Sequence, residues 1–250
     1  MSTYLRECFI VFRRQIRMNL RNPAWVLIGA FQPVLYVLLF GPLLEPLIDQ
    51  FGATNAYTFF IPGMLVQLGI FGAFFAGFSL IGEWREGVVE AERVTPAARS
   101  SLLIGRLMRD ELQLLVQALI LVVLGYLLGM DASIRGMVLG VVLTLLIGGA
   151  CAAASNAFAL TVKSEDVMAP VINMVMMPVL LLSGILLPMT IGPGWLEKAS
   201  DFMPIRHVVD AVRGAFGGDY SSMFWGASWS VLLFAVAVWW GTSTFRKENA

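Results

Sequence analysis

Six long apolar segments dominate this sequence of 250 residues and leave few ways for the chain to fold. A helix needs roughly 20 apolar residues to cross the hydrocarbon core of a bilayer. The segments that meet this length are 24–44, 57–81, 112–130, 136–162, 167–187 and 222–244. They predict an all-α membrane protein with six transmembrane helices that form one domain over residues 1–250.

The composition supports this class and excludes others. Hydrophobic residues are 58% and charged residues 14% of the chain, whereas an average soluble domain is about half apolar and about a quarter charged. The 17 basic residues equal the 17 acidic ones, so no excess of positive charge points to a nucleic-acid partner. Cys8 and Cys151 are too distant in sequence and context to predict a disulfide framework.

The distribution of Lys and Arg predicts the orientation in the membrane. If both termini lie on one side, thirteen of the 17 basic side chains fall on that side and four on the other. Loops rich in Lys and Arg stay in the cytoplasm. We therefore expect both termini to be cytoplasmic.

Residues 1–22 have the pattern of an amphipathic helix. Apolar residues at helical spacing form one stripe, comprising Leu5, Phe9, Phe12, Ile16 and Leu20. Arginines flank this stripe, a pattern typical of a helix that lies in the headgroup region of the lipid bilayer. The helix is either a membrane anchor only, or an anchor that also contacts a cytosolic partner.

The second and fifth predicted spans contain candidates for a substrate path. Phe71, Phe74 and Phe78 recur on one face of the second span together with Gln67, and Met174 lies in a methionine-rich fifth span. The aromatic face contacts either lipid or a passage for apolar molecules, and Gln67 weakens the lipid alternative because an unpaired amide is costly in hydrocarbon. The methionines form either an adaptable binding surface or ordinary core.

Small residues predict close helix packing, because helices in a bilayer associate through tight contact between backbones. Four of them share one face of the second span, namely Gly69, Gly72, Ala73 and Ala76. The fourth span has a ridge at four-residue steps, formed by Gly136, Gly140, Thr144, Gly148, Ala152 and Asn156.

Two connections between spans are long enough to have structure of their own. Segment 83–99 alternates acidic and basic residues, which predicts a short helix along the cytoplasmic surface, although a solvated loop has the same composition. Segment 188–221 alternates Pro and Gly with short apolar runs and predicts external re-entrant helices. Asp210 and Arg213 stand three residues apart, which suits an ion pair in an external gate or a purely structural pair.

These two segments resemble the membrane subunit of type-2 ABC exporters, especially the drug-resistance branch similar to daunorubicin exporters. The first motif is Glu83-x-Arg85-Glu86-Gly87-x-x-Glu90, followed by Thr95-Pro96-x-x-Arg99. The second is Pro188, Pro193-Gly194-Trp195-Leu196, Pro204 and Asp210-x-x-Arg213. Both motifs lie between the expected spans of a six-span chain.

The resemblance implies a function and a set of partners. In such exporters the first motif is a coupling helix that docks on a cytosolic ATPase, and the second forms a cap over the exit, where Trp195, Asp210 and Arg213 would act as a gate. Two permease subunits, identical or different, work with two nucleotide-binding subunits in the plasma (inner) membrane. The implied substrate is a small amphiphilic or hydrophobic compound such as a drug, an antibiotic or a lipid-linked molecule.

The chain lacks the residues for ATP hydrolysis. A phosphate-binding loop ends in Gly-Lys-Ser/Thr, and none of the three lysines, Lys163, Lys198 and Lys247, follows a glycine. The sequence therefore predicts a non-enzymatic subunit that binds no cofactor, with ATP and Mg on the partner ATPase. The single histidine, His207, has no ligand cluster around it and predicts no metal site.

An ion-coupled carrier and a membrane scaffold or biogenesis protein are the alternatives. Carriers often place ionisable residues in the middle of spans. The polar residues expected there are uncharged, namely Gln32, Gln67, Gln117, Asn156 and Asn173. Arg109, Asp110 and Glu111 precede the third predicted span and are expected to pair or to reach water at its cytoplasmic mouth.

Overall fold

The computed structural model describes residues 3–21, 24–46, 48, 55–95, 97–221 and 223–247. Every regular element in these ranges is helical, and none is a strand. The helices are α1 (Thr3–Arg21), α2 (Ala24–Leu44), α3 (Ala56–Arg85), α4 (Val88–Arg93), α5 (Arg99–Leu127), α6 (Ile134–Val162), α7 (Glu165–Leu182), α8 (Gly194–Asp201), α9 (Pro204–Gly217) and α10 (Met223–Lys247). The helices long and apolar enough to cross a membrane are α2, α3, α5, α6, α7 and α10, which confirms the prediction of six spans.

Helices α3 and α6 form the centre of the bundle. Gly69 of α3 lies against the backbone of Thr144, where an added Cβ would be 3.1 Å from the carbonyl oxygen. The Ser155 hydroxyl donates to the Phe74 carbonyl oxygen at 2.8 Å and accepts from the Gly77 amide at 3.2 Å. All six residues of the predicted ridge on α6 are buried, so its packing role is confirmed.

Helix α5 begins at Arg99, whereas the third predicted span begins at residue 112. The additional turns contain Arg106, Arg109, Asp110 and Glu111, which the sequence interpretation placed at the mouth of the span. These side chains are buried or half-buried inside the bundle. A helix can continue through this charged stretch because Arg106 pairs with carboxylates of α3 and α4, and Arg109 pairs with Asp110.

Helix α1 packs against the first turns of α5. The buried row of α1 is Cys8, Val11 and Gln15, and Val11 lies so close to Gly105 of α5 that an added Cβ would be 2.6 Å from the Val11 Cβ. Leu5, Phe9 and Leu20 of the predicted apolar stripe are exposed. The position of α1 at the membrane interface stays a prediction.

Segment 188–221 forms two helices that are too short to cross a bilayer. Helix α9 buries Val208, Val212 and Phe216, and the ring of Phe216 covers Gly140 on α6. Helix α8 precedes it, after a 3₁₀ turn at Met189–Ile191. The bundle therefore has an α4 end, with α1 and α4, and an α9 end, with α8 and α9.

Candidate functional site

A cluster of charged and polar side chains, buried except for Arg14, connects four helices at the α4 end. We define this charge cluster as Arg14 and Gln15 of α1, Glu83 of α3, Glu92 of α4 and Arg106 of α5. The Arg106 guanidinium is 2% exposed and donates from Nη2 to Glu83 Oε2 and to Glu92 Oε2, at 2.7 Å in each case. It also donates from Nε to Glu83 Oε2 at 3.2 Å.

Two residues of α1 complete the charge cluster. Arg14 Nη1 donates to Glu92 Oε1 at 2.8 Å, and Gln15 Nε2 donates to Glu83 Oε1 at 2.9 Å. All four carboxylate oxygens of the two glutamates are thus hydrogen-bonded, and two carboxylates face two guanidinium groups. A buried charge is tolerated when it is paired and its remaining hydrogen bonds are satisfied.

Arg109 extends this network toward the bundle interior. Its guanidinium donates to Gln15 Oε1 at 3.2 Å and, from Nε, to Asp110 Oδ1 at 2.9 Å. The Ser79 hydroxyl lies 3.5 Å from the same guanidinium. Helices α1, α3, α4 and α5 are therefore tied together by side chains from each of them.

The predicted docking residues occupy different environments. Glu83 is buried in the charge cluster and faces the bundle, whereas Glu86 and Glu90 are exposed. Arg85 forms an ion pair with Glu165 at 3.1 Å. Gly87 has a φ of 74° at the reversal between α3 and α4, a conformation that favours glycine.

The remaining residues of the predicted docking motif are Thr95, Pro96 and Arg99. Thr95 is exposed, and its hydroxyl donates to the Glu92 carbonyl oxygen at 2.7 Å. Pro96 and the side chain of Arg99 lie outside the described residues. The exposed acidic surface of the segment therefore consists of Glu86 and Glu90 in the described range.

A cleft with two compartments lies along α3 and α5. Helix α2 borders the first compartment, and residues of α1 and α7 border the second; we call the whole the α2–α3–α5 cleft. The first, of about 260 Å³, has four amides on its wall, those of Gln32, Gln67, Gln113 and Gln117. Its apolar wall is formed by Ile28, Gly29, Pro33, Leu68, Phe71, Gly72 and Phe75. The second, of about 370 Å³, shares Gly72, Phe75 and Gln113 with the first. Its other lining residues are Asn19, Ala76, Phe78, Ser79, Arg109, Asp110 and Glu165.

The structure brings together part of the predicted substrate path. Gln67 and Phe71 line the first compartment and Phe78 lines the second. Phe74 is half-buried beside α6 and lines neither compartment in the described part of the chain. Met174 on α7 is 79% exposed.

Sequence reasoning missed Phe75, Gln113 and the acidic side chain of Asp110 as cleft residues. The signal was the spacing of Gln113 and Gln117, which are four apart and share one face of α5. Both lie within the third predicted span, whereas Asp110 precedes it and could not be placed in the cleft before α5 was known to begin at Arg99.

A second group of polar contacts lies at the α9 end. Arg213 donates to the carbonyl oxygens of Ile185 at 3.0 Å and Phe59 at 3.3 Å, and its guanidinium lies 4.1 Å from the centre of the Phe59 ring. Burial lowers the pKa of Arg213 to about 10, so the side chain stays cationic at neutral pH. Arg213 therefore joins α9 to α3 and to the turn after α7.

The predicted ion pair between Asp210 and Arg213 is replaced by another. Asp210 Oδ2 lies 3.6 Å from Arg206 Nε, four residues earlier on the same helix, because Arg213 turns inward to the two carbonyl groups. Burial raises the pKa of the Asp210 carboxyl, and the nearby Arg213 and Arg206 oppose this rise. Trp195 on α8 is 70% exposed. A gating role for these residues stays a prediction.

Comparisons with known proteins give one consistent result. Residues 6–216 match the family model described as ABC-2 type transporter. The chain is 29% identical over 197 residues to the daunorubicin resistance ABC transporter permease protein DrrB1 of Streptomyces coeruleorubidus. The aligned residues are 77% of this chain and 68% of that protein.

Two further relatives cover similar shares. The putative transport permease ycf38 of Cyanophora paradoxa is 24% identical over 235 residues, covering 92% of this chain and 80% of that protein. The probable doxorubicin resistance ABC transporter permease protein DrrC of Mycobacterium tuberculosis (strain ATCC 25618 / H37Rv) is 25% identical over 194 residues, covering 76% and 70%.

Proposed function

The chain belongs to the ABC-2 type transporter family, and from this premise we propose that it is the permease subunit of an ATP-driven exporter of amphiphilic compounds. Its α4 end faces the cytoplasm and docks on a separate nucleotide-binding subunit. The exporter lies in the plasma membrane with both termini of this chain in the cytoplasm.

The observation that supports this proposal is the connection between an exposed acidic helix and the spans. Glu90 projects from α4 into solvent, while Glu92 on the same helix is held by Arg106 of α5. A displacement of α4 by the ATPase therefore acts on α5 through Arg106, and on α3 through Glu83. Alternating access requires this kind of link between a docking element and two packings of one bundle.

The export substrate is proposed from the cleft and from the relatives. Apolar and aromatic side chains with a few amides, as found around Gln67, Phe71 and Phe75, are typical of sites for small amphiphilic molecules. Two relatives are named for resistance to daunorubicin or doxorubicin, amphiphilic drugs of this kind. Trp195, Asp210 and Arg213 then lie near the exit and act as its gate.

The proposed assembly has two permease subunits and two ATPase subunits. ATP and Mg bind to the ATPase subunits, since this sequence contains no Gly-Lys-Ser/Thr loop. This permease subunit contributes the passage, the docking surface and the coupling between them.

Co-purification tests the docking surface. The tagged chain is extracted gently from native membranes, and the proteins that accompany it are identified and quantified by mass spectrometry. We expect a nucleotide-binding subunit in a one-to-one ratio, and its loss in Glu90→Lys, because the change reverses a charge on the exposed face of α4. Asp131→Lys is the matched control, since Asp131 is exposed in the loop after α5 at the opposite end.

Transport in inside-out vesicles tests the energy source. Uptake of a fluorescent amphiphile is expected to require ATP and to persist when ionophores collapse the proton and sodium gradients. Uptake that needs a gradient instead of ATP would establish the carrier alternative. An intact complex without any uptake for a broad panel of amphiphiles would favour a scaffold.

A further inference from the structure

We propose that the α2–α3–α5 cleft binds amphiphilic cations with N–H donors, such as protonated amines, and that Gln67, Asp110 and Glu111 accept hydrogen bonds from them. This inference rests on the proposed function only where it calls the bound amine a transport substrate. The binding itself follows from the chemistry of the cleft.

The first observation concerns the buried polar atoms that have no hydrogen-bond partner. In the described part of the chain these are Gln67 Oε1, Asp110 Oδ2 and Glu111 Oε1. All three are acceptors, and two belong to carboxyl groups. A buried acceptor without a donor costs free energy, so a ligand that supplies donors at these positions binds favourably.

The second observation is that the three acceptors border cavities that adjoin one another. Gln67 lines the first compartment and Asp110 lines the second. Glu111 lies beside a small recess of about 30 Å³ that also touches Asp110. Gly72 and Gln113 line both compartments and this recess, so the three spaces meet at these two residues.

The third observation is the charge around this space. The Arg109 cation is engaged by Asp110 Oδ1, Gln15 and Ser79, which leaves it little capacity for an anionic ligand. Glu165 is paired with Arg85. Glu111 forms no ion pair with any residue in the described ranges. An ammonium group next to Glu111 would supply the charged partner that this carboxyl lacks among the described residues, which favours a cationic ligand.

The shape of the cleft selects an organic cation. Phe71, Phe75 and Phe78 line the two compartments, and aromatic faces attract both apolar bodies and cations. Ligand sites usually measure several hundred Å³, as these compartments do. A bare metal ion fits poorly, because the described residues contain no group of three metal-ligating side chains.

The test uses three probes that differ only in the head group. Dansylcadaverine has an aromatic body and a primary ammonium group, its N-acetyl analogue is neutral, and its N-trimethyl analogue is cationic without N–H donors on the head group. The full chain, with any subunit that accompanies it, is placed in lipid nanodiscs without ATP. Energy transfer from tryptophan to dansyl reports binding after subtraction of the signal from empty nanodiscs.

We expect the ammonium probe to bind about tenfold more tightly than either analogue, as expected for a charge-assisted hydrogen bond. Equal affinity for the neutral analogue would overturn the proposed cation site. Equal affinity for the trimethyl analogue would overturn the role of N–H donors.

Two variants assign the acceptors. Glu111→Gln keeps the shape and removes the charge, and Gln67→Leu keeps the approximate volume and removes the acceptor. We expect each to weaken binding of the ammonium probe about tenfold, and Glu111→Gln to leave the neutral probe unchanged. Asp131→Asn, outside the cleft, is expected to change neither affinity. Wild-type affinity in both variants would show that these oxygens do not receive the ligand.

Folding and transport are measured separately. Glu111→Gln keeps the size of a side chain that forms no ion pair in the described ranges, so its melting temperature is expected to be no lower than that of the wild type. Selective amine binding without ATP-dependent uptake would support this site and overturn the exporter function. ATP-dependent uptake with no preference for amines would support the exporter function and overturn this site.

Discussion

The charge cluster and the α2–α3–α5 cleft are built on the same two helices, α3 and α5, but their polar groups are arranged in opposite ways. In the charge cluster, both oxygens of Glu83 and both oxygens of Glu92 accept hydrogen bonds from Arg14, Gln15 and Arg106. In the cleft, oxygens of Gln67, Asp110 and Glu111 have no donor in the described part of the chain. The comparison separates a region that holds helices together from a region that can bind something else.

The physical reason lies in the cost of burying polar atoms. A buried polar network whose members are all satisfied makes one arrangement rigid, whereas an unsatisfied group remains unfavourable until a partner arrives. The charge cluster thus suits mechanical coupling between α4 and the spans. The cleft suits reversible binding, because the ligand supplies the missing partners.

The largest expected effect comes from removing the central cation of the charge cluster. Arg106→Met leaves Glu83 and Glu92 buried without it, and breaking a buried ion pair costs about 3–5 kcal/mol. We expect a strongly lowered melting temperature and low abundance in membranes, measured by thermal unfolding in detergent and by immunoblotting.

A compensated variant is the control for Arg106→Met. Neutralising the two carboxylates as well, in Glu83→Gln/Glu92→Gln/Arg106→Met, is expected to restore most of the lost stability, since no uncompensated charge is left in the centre. If the single variant were as stable as the wild type, the charge cluster would not act as a unit.

A smaller effect is expected from separating α1 from α5 by steric means. Gly105→Val places a side chain where the Val11 Cβ is only 2.6 Å away, and overpacking of this kind costs about 1–3 kcal/mol. Helix α1 is then displaced, and Arg14 and Gln15 leave the charge cluster. Gly82→Val is the control, because no atom lies within 4 Å of the added Cβ at Gly82.

The displacement can be followed at Cys8, which is 3% exposed and whose thiol pKa is raised by burial. A high pKa and low exposure both slow the reaction with maleimide, because the thiolate is the reactive species. We expect faster labelling of Cys8 in Gly105→Val than in Gly82→Val, in a Cys151→Ala background. Equal labelling rates would contradict the packing of α1 on α5.

The smallest effect on stability, and a selective effect on binding, is expected at the junction of the cleft. Gly72 is exposed, and an added Cβ meets no atom within 4 Å, so Gly72→Val fills space without a clash. Its stability is expected to change by less than about 0.5 kcal/mol, as is usual at such sites. Binding of the ammonium probe is expected to weaken, because Gly72 lines both compartments. Unchanged binding would place the ligand away from this junction.

Much of the fold could be predicted from the sequence because the bilayer imposes a simple rule on it. Six apolar segments of sufficient length predict six helices, and four-residue steps of small residues predict the buried ridge from Gly136 to Asn156 on α6. The two long connections also stood out by composition, and both contain short helices. These features depend on residues close together in the chain.

The candidate site was harder to predict, because its residues are far apart in the sequence. Glu83 and Glu90 look alike in their motif, yet one is buried against Arg106 and the other is exposed. Asp110 and Glu111 looked like residues at the mouth of a span until α5 was seen to begin at Arg99. No local pattern distinguishes these cases.

The sequence by itself therefore determined that this chain is a helical membrane protein with six spans and a charged segment between the second and third. Only the tertiary structure decided which charges are paired and which acceptors are left without donors. Apolar length and small-residue spacing act along one helix, whereas pairing depends on side chains that α1, α3, α4 and α5 bring to a common point.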